Sequence, residues 1–177
     1  HSICAKYGIS NYTINSDGSI DVDGNVNLYN KKLTKLPLKF NRVSGYFDCS
    51  YNQLTSLIGS PNKVGDGFIC SYNQLTSLEF SPKEVVGSFY CRNNQLTSLI
   101  GCPNQVGVDF NCSSNQLTSL EFSPKEVGDD FYCSYNKINS LEGFKCIFKG
   151  TFLCKGDRKS TCLNSSHVSE SRMPSSA

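Results

Sequence analysis

A solenoid of short parallel β-strands is the fold class this sequence predicts, and three observations predict it. The nine letters CSYNQLTSL stand at 49–57 and return unchanged at 70–78, with near copies CRNNQLTSL, CSSNQLTSL and CSYNKINSL further on. These phrases share a fixed period of 21, so whole columns of like residues line up, which is how chains that stack one supersecondary unit on the next are written. Within each copy F-x-C alternates with the two-residue period of a strand, placing Phe and Cys on one face.

The columns define the predicted core. Phe47, Phe68, Phe89, Phe110, Phe131 and Phe152 form the first, and Cys49, Cys70, Cys91, Cys112, Cys133 and Cys154 the next. Leu54, Leu75, Leu96, Leu117 and Ile138 follow, then Leu57, Leu78, Leu99, Leu120 and Leu141, and finally Val64, Val85, Val106 and Val127. Leu28 falls in the cysteine column, so that position is an apolar slot that takes either side chain, not a chemical site. One coil cannot bury enough surface to offset the entropy of ordering its backbone, so each must be covered by its neighbours. Asn52, Asn73, Asn94, Asn115 and Asn136 repeat where the chain leaves the strand. An amide there can satisfy backbone groups that would otherwise be stranded, a structural role.

The run F-x-C-x-x-N-x-L-x-x-L resembles the leucine-rich-repeat signature, with Phe and Cys in two of the leucine positions. The resemblance covers roughly residues 26–154 and is similar to the short bacterial and phage type, including the repeats of secreted bacterial effectors. Those effectors carry L-P-x-L-P where this chain has S-P-x-x-V, so the resemblance does not carry effector function over. It implies a leucine-rich-repeat solenoid: parallel strands stacked as a concave sheet, and a convex side of turns, extended or 3₁₀ segments, with few or no long helices. Stretches such as E-F-S-P-K-E-V-V-G are too short and too rich in Pro and Gly for a full helix. Coils alternate between I-G-[S/C]-P-N-[K/Q]-V and E-F-S-P-K-E-V, a superperiod of 42.

In chain order, residues 1–25 read as an N-terminal cap. S-I-C-A-K-Y suits a short helix closed by Gly8, and Tyr12 to Ile14 and Ile20 to Val22 alternate around S-D-G-S, a hairpin signal. N-Y-T-I-N-S-D-G-S-I-D-V-D-G resembles the lead-in of phage and marine metagenomic proteins of this type. D-V-D-G-N lacks the full spacing of a calcium loop and reads as turn chemistry. Residues 26–156 read as about seven coils, and the pattern stops at Asp157. From there D-R-K-S-T-C-L-N-S-S-H, and the closing S-R-M-P-S-S-A, resemble the frame translation of a common sequencing adapter. Residues 157–177 are therefore read as a non-native or disordered tail. A start at His1 without methionine reads as a fragment or processed chain.

Composition narrows the function classes. The chain has 17 basic and 15 acidic residues, a formal net charge of +2, which gives no electrostatic footprint for nucleic acid or an anionic membrane. No apolar run approaches the roughly 20 residues of a membrane span. The histidines are His1 and His167, so a Ser-His-Asp or Cys-His nucleophile has no base in the body of the chain. No phosphate-binding glycine loop is present, so no enzyme and no cofactor is expected. The ten cysteines lack paired C-x₂₋₄-C spacing, which gives no metal site, and the ladder members read as buried free thiols. Such thiol usage is that of a reducing, cytoplasmic compartment, though localisation itself is not read from the sequence.

The candidate working surface is the concave sheet, made from side chains alternating outward beside Phe and Cys. Tyr46, Asp48, Ile69, Tyr90, Arg92, Asp109, Asn111, Asp130 and Tyr132 are its candidate binding residues, with serines such as Ser50, Ser71 and Ser134 beside them. This set varies from coil to coil while the inward columns do not, as packing plus a tunable surface requires. Tyr and Arg are enriched at binding hot spots. The expectation is a protein or glycan partner. Two alternatives stand beside it: an ice- or crystal-surface binder using Thr34, Thr55, Thr76, Thr97 and Thr118 with the adjoining serines, and the recognition half of a larger effector or enzyme.

Overall fold

A computed structural model describes residues 2–156 of the chain; the reading of residues 157–177 as a tail lies outside the described residues. Helix Ser2–Lys6 opens the cap. Gly8, at φ 65°, supplies the left-handed turn that ends it. Strands Tyr12–Ile14 and Ile20–Val22 pair antiparallel, as the hairpin signal predicts. The Asp17 carboxylate fastens the turn between them by accepting from the Ser19 amide at 3.0 Å and the Ser19 hydroxyl at 2.6 Å. Cys4, Ile9, Ile20 and Val22 are buried, so the cap's apolar side closes the first coil.

From Val26 to Leu153 the chain is a parallel β-solenoid with almost no helix. Strands Val26–Asn27, Phe47–Asp48, Phe68–Ile69, Phe89–Tyr90, Phe110–Asn111, Phe131–Tyr132 and Phe152–Leu153 form a seven-stranded parallel sheet in which each residue pairs with the one 21 later. Seven strands bound six such intervals, so the stack makes about six turns. Counting column members gives about seven because the first and last are parts of coils. No helix among the described residues is long and apolar enough to cross a membrane.

The side expected to hold turns, extended or 3₁₀ segments is more regular than that. Its backbone is extended, no 3₁₀ segment occurs among the described residues, and successive coils pair there as a second sheet of eight strands. Lys63–Val64, Glu84–Val85, Gln105–Val106 and Glu126–Val127 are its central strands, continued from the cap's Ile20–Val22 through Phe40–Val43. Each valine points inward, and the residue before it points to solvent, where Lys63 pairs with Glu84 at 2.6 Å. The corner between the two sheets runs coil against coil. A Cβ on Gly107 would fall 1.8 Å from the Val86 carbonyl oxygen, and one on Gly128 would fall 1.9 Å from that of Gly107. Glycine is required at both by close backbone approach.

The interior matches the predicted columns. Phe40, Phe47, Phe68, Phe89, Phe110 and Phe131 (the last five on the 21-residue column) are among the largest fully buried side chains. Neighbouring rings on the column lie 5.1–5.7 Å apart, within the range of favourable aromatic pairs. Leu28 is fully buried in the cysteine column, and Cys49, Cys70, Cys91, Cys112 and Cys133 are buried, with Cys154 half-buried in the last coil. No disulfide joins any two of the nine described cysteines.

The asparagines form a second internal ladder. Asn94 Nδ2 donates to the carbonyls of Cys70 and Cys91, both at 3.1 Å, and Asn94 Oδ1 accepts from the Leu75 amide at 3.0 Å. Asn73, Asn115 and Asn136 repeat this pattern coil by coil. Asn52 likewise spans two coils, donating to Leu28 and Cys49 and accepting from Lys31 and Leu33. Each amide thus ties its own strand end to the coil before it, where the preceding residue (Tyr51, Tyr72, Asn93, Ser114 or Tyr135) takes a left-handed φ of 54–57°.

Candidate recognition surface

The outward side chains of the seven-stranded sheet stand in columns, because parallel pairing at constant register sets each residue beside its equivalent. The first column contains Asn25, Tyr46, Ser88, Asp109 and Asp130. Where its side chain is a short acceptor, it takes the amide N–H one coil later. Asn25 Oδ1 accepts from Tyr46 at 3.0 Å, Ser88 Oγ from Asp109 at 3.2 Å, Asp109 Oδ1 from Asp130 at 3.1 Å, and Asp130 Oδ1 from Thr151. One oxygen of Asp109 and one of Asp130 therefore serve the stack itself.

The second column contains Asp48, Ile69, Tyr90, Asn111 and Tyr132, all half-buried. Asp48 and Asn111 lock local turns, accepting from the amides of Ser50 at 2.9 Å and Ser113 at 3.0 Å. The two tyrosines reach across to the first column: Tyr90 OH donates to Asp109 Oδ2 at 3.2 Å, and Tyr132 OH donates to Asp130 Oδ2 at 2.6 Å. The structure thus gathers Tyr90, Asp109, Asp130 and Tyr132 into one hydrogen-bonded group. Tyr46 and Ile69 stand on earlier coils, half-buried.

The serines Ser50, Ser71 and Ser134 are a correction to the outward set. They are only 4%, 4% and 6% exposed. The strands are two residues long, so this third position falls at the corner where the chain turns over the asparagine ladder. At Arg92 the same column is exposed. Its guanidinium lies 5.3 Å from the Tyr72 ring centroid and donates to the Tyr72 hydroxyl at 2.8 Å.

That contact exposes residues the sequence reasoning missed. Tyr72 stacks on Tyr51 with centroids 4.2 Å apart and planes at 15°, and Tyr51 meets Tyr29 at 5.2 Å. Arg92 caps this surface row of three rings, in the geometry of a cation–π contact. The signal was the tyrosine inside CSYN, repeated one period apart, since coils set ~4.8 Å apart bring like rings within stacking range.

The electrostatics follow the hydrogen bonds. Donation from Tyr132, and then from the Thr151 amide, holds the Asp130 carboxyl below its ordinary range. The hydrogen bond to Asp130 comes first, ahead of desolvation, in pushing the Tyr132 phenol up to about 12. Asp130→Asn should bring the Tyr132 ionisation back from about 12 toward 10.0, read as tyrosinate absorbance against pH. An unmoved titration would show that the pair is not formed. The carboxylates of Asp109, Asp129 and Asp130 lie within 4.8 Å of one another. Protein donors already occupy both oxygens of Asp109 and of Asp130.

The hydroxyl columns divide in two. The hydroxyl oxygens of Ser56, Ser77, Ser98 and Ser119 accept from the amide two residues on, at 3.1–3.4 Å, and so tighten the turn. Thr34, Thr55, Thr76, Thr97 and Thr118 are exposed, one per coil. Burial raises the ladder thiols Cys49, Cys70, Cys91 and Cys112 well above the ordinary thiol range, and it raises Cys102 and Cys146, which lie off the ladder, to about 12. Thiols so held are protonated at neutral pH and poor nucleophiles. Comparison of the chain with protein-family models, with curated proteins and with solved structures finds no match.

Proposed function

We propose that this chain is a non-enzymatic recognition module of leucine-rich-repeat type, which binds a protein or glycan partner on the outward face of the seven-stranded sheet. One observation carries the reading: tyrosines, carboxylates and an arginine are held in fixed hydrogen-bonded positions on a surface whose inward side hardly varies from coil to coil. Rigid aromatic and guanidinium groups lose little conformational entropy on binding and dominate interface energetics. The face offers aromatic edges, acceptors and the Arg92 cation, which suits a polar partner with apolar patches. Its near-neutral chain charge gives no reason to favour nucleic acid.

The test is a screen of the wild-type chain against a glycan array and a displayed protein library, repeated with Tyr90→Ala plus Arg92→Ala. Captured ligands should bind the double variant about tenfold or more weakly, the scale of hot-spot truncation. Ligands indifferent to every substitution on this face would overturn the reading. A second reading rests on the five exposed threonines, one hydroxyl per coil at regular spacing, which suit the lattice of an ice or mineral face. Unchanged ice recrystallisation at high protein concentration would dispose of it.

A further inference from the structure

The seven-stranded sheet turns one sign of charge outward. Its two outward columns, with the corner column before them, contribute three positions beside each of its seven strands, from Gly24 to Leu153. These positions hold Asp48, Asp66, Asp109, Asp129 and Asp130, and neither Lys nor Arg. The chain as a whole carries a formal net charge of +2, so its cations are gathered on other surfaces. Those bordering the face are Lys149, which lines the outer side of the eight-stranded sheet, and Arg92 and Lys155 in the third column. Arg92 is turned onto the Tyr72 ring of the preceding coil. A face of one sign repels anions and draws cations, and so selects partners by charge.

Two tyrosines give that charge a shape. Asn111 pairs with Tyr90 on one side and with Tyr132 on the other. The two tyrosines therefore stand two coils apart, ~9–10 Å between equivalent atoms at the ~4.8 Å strand spacing. Their hydroxyls are pinned to Asp109 at 3.2 Å and Asp130 at 2.6 Å, and the Asn111 side chain between them is drawn aside to the Ser113 amide. The carboxylates of Asp109, Asp129 and Asp130 lie beside this place, within 4.8 Å of one another. It has room for one guanidinium or ammonium group, with a ring at cation–π distance (about 6 Å or less) on either side. An organic cation suits it better than a metal ion, which would have to displace the donors already on both oxygens of Asp109 and Asp130.

We propose, resting on the reading of this face as a recognition surface, that its partner is a basic protein segment. The segment lays an arginine or lysine side chain between Tyr90 and Tyr132, against Asp109, Asp129 and Asp130. Further basic residues along it meet Asp66 and Asp48 on the earlier coils.

Fluorescence anisotropy of the full 177-residue chain with three labelled octapeptides tests this. The peptides share one Gly/Ser framework and carry two arginines, two citrullines (the same shape without the charge) or two glutamates. The arginine peptide should bind about tenfold or more tightly than the citrulline one, and its affinity should fall as salt is raised. The glutamate peptide should not bind. Asp129→Asn, at an exposed carboxylate, should weaken the arginine peptide severalfold with melting unchanged. Tyr132→Phe should keep most of the affinity and Tyr132→Leu should lose it about tenfold, because the ring and not the hydroxyl faces the cation. An arginine peptide that fails to bind, binds no better than citrulline, or ignores both Asp129→Asn and Tyr132→Leu would overturn the proposal. Array or library ligands that need Tyr90 and Arg92 yet are neutral or acidic would overturn it while leaving the recognition reading in place. A face on which no ligand depends would end both.

Discussion

Truncating Phe89 to alanine is expected to destabilise the fold by about 3–5 kcal/mol, the range for removing a fully buried aromatic. Phe89 is completely buried between Phe68, at 5.2 Å, and Phe110, at 5.7 Å. The void would lie mid-stack, where it weakens the contacts of one coil with both its neighbours. In a one-dimensional array those nearest-neighbour contacts supply what the isolated coil lacks. Phe152→Ala is the comparison, since Phe152 is only half-buried in the last described coil and should cost clearly less. Urea unfolding of both variants measures the difference. Equal losses at the two positions would mean that the coils do not depend on cover from both sides.

The second large effect concerns the asparagine ladder. Asn94→Leu keeps the volume roughly but removes the acceptor of the Leu75 amide, and takes from each of the Cys70 and Cys91 carbonyls one of its two amide donors, leaving Asn73 and Asn115 as the others. Leaving the buried Leu75 amide unpaired costs about 1–3 kcal/mol, and the two carbonyls each lose one of two donors, so a total of about 2–4 kcal/mol is expected. Asn94→Asp is the sharper control. It preserves the shape and the acceptor facing Leu75, but turns the donor facing two carbonyls into another acceptor. It should therefore be as damaging as leucine, and the Leu75 amide should exchange with solvent faster only in the leucine variant. Tolerance of either substitution would move the asparagines from the backbone to some other role.

Much of this was legible in the letters. The inward columns were, because Phe47, Cys49, Leu54 and Leu57 repeat with their equivalents at fixed spacing, and a strand's two-residue period shows in F-x-C. The hairpin was legible from alternation around S-D-G-S. The second sheet was not, because a strand of two residues such as Lys63–Val64 has no alternation to display. Its pairing partner, Glu84–Val85, lies one whole period away.

The surface was read less completely, for a related reason. Asp109 and Asp130 look like free carboxylates in sequence, whereas each accepts an amide from the next coil, a contact 21 residues distant. Tyr51 and Tyr72 read as letters of a repeated phrase until the left-handed turn stacks their rings. The superperiod was visible as alternation of I-G and E-F, but the left-handed backbone that Gly59 and Phe80 both take at this corner was not.

Thiol accessibility under native conditions probes the dry shared interior at the five innermost ladder positions, Cys49, Cys70, Cys91, Cys112 and Cys133, all at most 1% exposed. Labelling with a small alkylating reagent, followed by peptide mass spectrometry, should leave all five unmodified until denaturant unfolds the stack, after which they react together. Rapid modification of those cysteines in the folded protein, at the rate of a free solvent-exposed thiol, would contradict the stacked-coil fold on which every surface described above depends.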